Sequence, residues 1–115
     1  MDDSILTTIK RLLGIGEDEA QFDSEIMVHI NSVFTTLLQL GVGPTEGFRI
    51  EDDSASWDEF MGTRNDLDSV KSYIYLKVRL LFDPPQSGPL IASLTEQLRE
   101  YEWRLNDWAA PEDPV

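Results

Sequence analysis

The sequence predicts an all-α domain: a small bundle of four main helices, with one long irregular loop between the second helix and the central one. Two observations point there directly. Long stretches carry apolar residues three and four apart, the spacing that places them on one face of a helix. Glycines and prolines gather between those stretches, where they end helices rather than interrupt them. A third observation sets the arrangement. Between Asp66 and Pro85, one stripe holds Leu67, Val70, Ile74, Val78 and Leu81, and a nearly opposite stripe holds Tyr73, Leu76 and Leu80. Asp68, Ser72, Tyr75 and Arg79 occupy the main wet sector between them. A helix apolar on two sides must be covered on two sides, so this one is central. Asp66 suits its N-cap, and Pro84-Pro85 ends it, because neither proline can donate the next backbone hydrogen bond.

Residues 2–13 read as a short first helix with Ile5, Leu6, Ile9, Leu12 and Leu13 on one face. Asp2 and Asp3 stand at the positive end of its dipole, and Lys10 and Arg11 at the negative end. Gly14 is placed as the left-handed closing residue, with Ile15 after it for the hydrophobic contact of such a cap. A helix this short must dock on something. An acidic linker, Gly16 to Gln21, leads to a second helix from Asp23 to about Leu40. Its broad apolar face is Ile26, Met27, Ile30, Val33, Phe34, Leu37 and Leu38. Its back carries Val28, Asn31, Ser32, Thr35 and Gln39, and no Asp, Glu, Lys or Arg occurs between Ile26 and Thr45. A helix facing water would normally carry Lys and Glu there. The back therefore reads as a subunit interface, with Ser32, Thr35 and Gln39 as its candidate residues.

Gly41 to Ser56 is the long irregular stretch. Phe48-Arg49-Ile50 is its candidate short strand, the seed of a short β-hairpin. Glu51-Asp52-Asp53 forms an acidic tip, without the alternating ligands and sixth-position glycine of a calcium loop. Ser56-Trp57-Asp58-Glu59 fits a capping box that opens a single turn through Phe60. Trp57 and Phe60, three apart, should pack as one patch. The core is their favoured destination, and an intersubunit contact is the second choice. After the central helix, Pro89 suits the first turn of a last helix running from about residue 90. Ile91, Leu94, Leu98, Tyr101, Leu105 and Trp108 make its seam, one cover for the central helix. Trp103 lies off that seam and is a further candidate contact. Residues 1–108 make one helical domain, and 109–115, with two prolines, a frayed tail.

Composition narrows the function classes. Hydrophobic residues make up 41% and charged residues 27%, as in ordinary globular domains. No apolar run approaches membrane-spanning length, and Asp2 and Asp3 have the wrong charge for a signal peptide. No membrane partner is expected. Without cysteine there is no disulfide or thiolate chemistry. The charge is the outlying quantity: 22 acidic residues against 9 basic, net -13. Such a chain repels nucleic acid, which argues against a DNA-gripping role. It could simply favour solubility. It could also suit a basic partner, imitate DNA, or form a surface past which DNA moves without sticking. No catalytic set is apparent. His29 is the one histidine, within the second helix, where a structural role is commoner than a ligand role. There is no phosphate loop and no metal-ligand spacing, so no enzyme activity, cofactor or metal is expected.

Several stretches are similar to a known family. They are Lys10-Arg11-Leu12-Leu13-Gly14-Ile15, then Phe22-Asp23 after the acidic spacer, the run from Tyr73 to Pro85, and Glu102-Trp103-Arg104-Leu105. With them the chain resembles, over most of its length, the head–tail connector proteins of long-tailed bacteriophages, also called neck adaptor or head-completion proteins. The resemblance implies a structural virion protein of the neck, assembled in the host cytoplasm. It would form a homo-oligomeric ring of on the order of a dozen copies between portal and tail. DNA would pass through without specific binding. The portal protein and the next neck or tail-completion protein would be its partners. In that setting Glu51, Asp52 and Asp53 are the candidate channel-facing acids. The competing class is an acidic phage inhibitor that mimics DNA and binds a basic host protein. Net charge favours it, but the scattering of the charges does not, because a mimic needs a duplex-like row.

Overall fold

The computed structural model describes residues 4–16, 18–44, 46–61 and 67–109. Five helices follow in order: α1 (Ile5–Leu13), α2 (Asp23–Gln39), α3 (Trp57–Met61), α4 (Leu67–Phe82) and α5 (Gly88–Ala109). They form a small all-α bundle, a slab of 51 × 37 × 21 Å. The roles read for Asp2, Asp3, Asp66 and the 110–115 tail lie outside the described residues, as do the side chains of Leu67 and Trp108.

Local signals explain most helix ends. Ser4 caps α1, its hydroxyl accepting from the Thr7 N–H at 3.2 Å. Gly14 closes α1 at φ +83°, in the left-handed region that a side chain would strain. There its N–H reaches Arg11 O, and the Ile15 N–H reaches Lys10 O at 2.9 Å, the paired bonds of a Schellman cap. The α3 capping box forms as its sequence predicts: Ser56 N–H donates to Glu59 Oε1 at 3.2 Å, and Glu59 N–H donates to Ser56 Oγ at 3.3 Å. The last helix starts earlier than expected, at Gly88, because Ser87 caps it. Ser87 accepts from Leu90 N–H through its hydroxyl and from Ile91 N–H through its carbonyl.

α4 is the central helix, packed against α1, α2 and α5. Val70, Tyr73, Ile74 and Val78 are wholly buried, and Leu76 is buried beside them. Cover comes from Ile5, Leu6 and Ile9 of α1, from Ile26, Ile30, Val33, Phe34 and Leu37 of α2, and from Leu94, Leu98 and Leu105 of α5. The two-sided reading holds along most of α4 and fails at its end. Leu81, assigned to the first stripe, is 51% exposed, and Leu80 is half-buried. Both line an open groove with Leu98 and Arg99 of α5, which the helix pair does not fill.

Lys10 is not the surface cation that its place at a helix end suggests. Its side chain is 3% exposed and meets Asp23 Oδ1 at 2.8 Å, joining the end of α1 to the start of α2. Such a buried pair tolerates loss of neither partner, because the one left behind has been desolvated for nothing.

Truncating the faces that enclose α4 should be costly. Ile74→Ala and Leu98→Ala should each lose about 2–5 kcal/mol, the range for large-to-small changes in a packed core. Thermal melts in which either variant moves by less than a few degrees would mean that these side chains are not core.

Candidate assembly surface

The loop between α2 and α3 is built onto α2. It leaves α2 through Gly41, with Val42 N–H bonded to Leu37 O at 2.9 Å and the Val42 side chain buried. Gly43 follows at φ +89°, and a Cβ there would stand 2.4 Å from the Phe60 ring, so only glycine fits. Phe48 then packs into an aromatic trio, its ring 5.3 Å from Phe34 and 5.2 Å from Phe60. At Ile50 the loop is latched. The Asn31 amide donates to Ile50 O at 2.9 Å, and its Oδ1 accepts from Ile50 N–H at 2.8 Å. This is the hydrogen-bond pattern that a neighbouring strand would offer, supplied here by one side chain. It explains why the expected strand at Phe48-Arg49-Ile50 does not form. Among the described residues there is no strand, and the β-type pairing is an isolated bridge between Ser4 and Ser56. At its far end the loop returns to α1, where Ile5 N–H donates to Ala55 O at 3.0 Å.

The uncharged back of α2 is therefore divided. Asn31 serves the loop. Val28, Ser32, Thr35 and Gln39 stay exposed, and their four-three-four spacing makes one straight stripe along the helix. Val28 is 66% exposed. Beside the stripe, a cleft of about 320 Å³ opens between α2 and the loop, walled by Phe34, Leu38 and Phe48, with Glu46 and Arg49 among its lining.

Trp57 and Phe60 are core residues, 3% and 4% exposed. The Trp57 indole N–H donates to Thr8 Oγ1 at 3.0 Å, and Lys71 lies 5.3 Å over its ring. Neither side chain is presented to a neighbour, so the favoured destination holds and the second choice falls away. Trp103 is the opposite case, 69% exposed on α5, next to Arg99, Glu100 and Arg104. Glu51, Asp52 and Asp53 are all exposed. Asp52 accepts from the Ser54 hydroxyl and backbone N–H, and these bonds hold its carboxyl below the usual carboxylate range.

A polar contact locks α5 to α4. The Tyr73 ring is fully buried, and its hydroxyl donates to Glu102 Oε2 at 2.7 Å. Lys77 shares that oxygen at 3.4 Å. Burial first, and then the accepting carboxylate, hold the Tyr73 hydroxyl far above its ordinary pKa, so it remains a donor. Reading the sequence missed this pair, and no signal within either helix points to it. His29 sits edge-on to Phe82, with ring centres 6.4 Å apart. Among the described residues no group of His, Asp or Glu is placed to hold a metal ion, and no helix is long and apolar enough to cross a membrane.

Comparison with known proteins returns one family. The family described as phage connector protein matches residues 5–110, nearly the whole chain. No curated protein and no solved structure matches.

The loop latch makes a direct test of this surface. Asn31→Ala leaves the N–H and C=O of Ile50 without their partner, at a cost of about 1–3 kcal/mol for each polar group left unsatisfied. The Ile50 amide should then lose hydrogen-exchange protection while amides in α4 keep theirs. Unchanged protection at Ile50 would show that the loop is held by other contacts.

Proposed function

The chain belongs to the phage connector protein family, structural proteins of the head–tail junction, and from that premise we propose that it forms a ring between the portal and the tail. In this reading the ring extends the DNA channel and offers the tail a docking surface. The observation that carries it is the exposed, uncharged stripe of Val28, Ser32, Thr35 and Gln39 on a chain of net charge -13. Identical copies of so acidic a protein repel one another at a distance, so they must meet where the charge is lowest. The stripe is such a place, and it is part of a rigid helix. The portal protein and the next neck or tail-completion protein are the partners above and below. Membership of a structural family favours this reading over a DNA-mimicking inhibitor.

The acidic tip gives the channel its character. About a dozen copies would bring on the order of -150 formal charges together, a repulsive field for DNA phosphates. That field falls off over about 10 Å at moderate salt, so only charges near the lumen act on the passing duplex. Glu51, Asp52 and Asp53 belong there as an exposed group at the tip of the loop.

Two experiments test the reading. Ser32→Glu combined with Thr35→Lys should leave the helical spectrum of the protein unchanged and abolish its self-association in sedimentation. Normal assembly of that variant would remove the stripe from the interface. Separately, the unmodified protein should not retain duplex DNA even at low salt. The Asp52→Lys, Asp53→Lys variant should retain DNA in a salt-sensitive manner and lower phage infectivity. Tight DNA binding by the unmodified protein would overturn the channel reading, and full infectivity of the lysine variant would move the loop out of the lumen.

A further inference from the structure

A ring needs two different surfaces on each copy, one to give and one to receive, because a surface that meets its own counterpart stops at a dimer. The fold already contains one such complementary pair: α5 and the face of α4 on which it lies. Resting on the self-assembly reading above, we propose that neighbouring copies exchange α5, each laying its last helix on α4 of the next. The partner is a second copy of this chain, and the contact is the one seen within a single copy.

The turn before α5 does not decide which α4 receives it. Residues 83–87 join the two helices, and all but Pro85 are exposed. Asp83 N–H donates to Arg79 O at 2.8 Å, and Ile91 N–H donates to Ser87 O at 3.0 Å, so each limb is bonded within itself. Among the described residues no hydrogen bond crosses from one limb to the other. Asp83 and Pro84 each precede a proline, which keeps both out of the helical region and favours an extended backbone. Fully extended, such a linker spans on the order of 15–20 Å. The chain reversal is therefore maintained by the packing of α5 on α4, and the α4 of a neighbour offers the same packing.

The receiving site is complete on a second copy. Its apolar floor is the α4 face that takes the Leu94, Leu98 and Leu105 seam. Its register is set by the buried Tyr73, whose hydroxyl needs an acceptor and finds Glu102 Oε2 at 2.7 Å. α5 also reaches α2, where the Asn106 amide donates to Leu40 O at 3.2 Å. The receiving copy brings α4 and the end of α2 together, so an incoming α5 recovers that bond as well. After exchange, Tyr73 and Lys77 of one copy hold Glu102 of the next, and an opposite-charge pair stands between chains that otherwise repel. Every contact of the single copy is kept, which is why exchange of an identical element is a low-cost route to oligomers. An open row of copies leaves one α4 face bare at one end and one α5 without a floor at the other. Closing the row into a ring covers both.

Leu81 of α4 and Thr95 of α5 line one groove, and the chain has no cysteine, so two introduced thiols report on this contact alone. The single variants Leu81→Cys and Thr95→Cys are unfolded, refolded together at high concentration and treated with a short bismaleimide. A cross-linked dimer should form in the mixture and from neither variant alone, and its absence overturns the exchange. The double variant Leu81→Cys, Thr95→Cys is cross-linked within single copies at high dilution, which locks α5 onto its own α4. Circular dichroism should show that the locked chain keeps its helices. It should sediment as a monomer at concentrations where the same double variant, capped with N-ethylmaleimide, assembles. Equal assembly of the locked and capped chains overturns the exchange and leaves the self-assembly reading standing. A species that stops at two copies shows reciprocal exchange and overturns the head-to-tail handover. Failure of the unmodified protein to self-associate overturns both readings.

Discussion

Burying a tyrosine completely creates an obligation: its hydroxyl must find an acceptor inside the protein. Tyr73 meets it with Glu102, one helix away. The bond does more than satisfy a polar atom. The interdigitated apolar faces resist sliding, and a buried donor bonded to one acceptor adds a directional constraint on the register of α5 on α4. Lys77 holds the same carboxylate from a turn further along α4, so the acid has both a neutral and a charged partner. The Lys10–Asp23 pair does the corresponding work between α1 and α2. These two contacts join four of the stretches on which the family resemblance rests. What that resemblance registered as local wording is, in three dimensions, a pair of clasps.

The fold was legible because its determinants are local. Helix periodicity, the glycine after α1, the Ser56–Glu59 box and the double proline each act within a few residues of themselves. What was not legible depends on distant partners. Asn31 looked like one more uncharged residue on the back of α2, and nothing near it reveals that its amide would hold a backbone group 19 residues away. The same latch dissolved the expected strand, since Ile50 found in a side chain what a strand would have offered. Leu81 continued the apolar rhythm of α4 beyond the point where α5 covers it. Lys10 gave no sign of burial, because a lysine that ends a helix is ordinarily wet. Of the surface, the lone Trp103 was legible from its misfit to the seam. The division of the α2 back between loop and solvent required coordinates.

Charge explains why the molecule looks as it does from outside. Among the described carboxylates only Asp23 and Glu102 are partly enclosed, and a lysine clasps each. The other described carboxylates are exposed, and such a surface repels others of the same charge. Against that background an uncharged helix face and an exposed tryptophan stand out. Both stand on rigid helices, so neither surface would have to order itself on contact, and association would spend little conformational entropy.

The loop is suspended at a few points: Val42 at its start, the aromatic trio and the Asn31 latch in the middle, and Ala55 at its end. Between the latch and Ala55 the acidic tip touches little besides itself, through Asp52 and Ser54. The fold places little constraint on that stretch. Residues added or exchanged there would alter the outline of the protein without reaching the core, much as a span can be rebuilt while its piers stand. A lineage could rewrite the tip, and with it the field that passing DNA meets, and leave the bundle as it is.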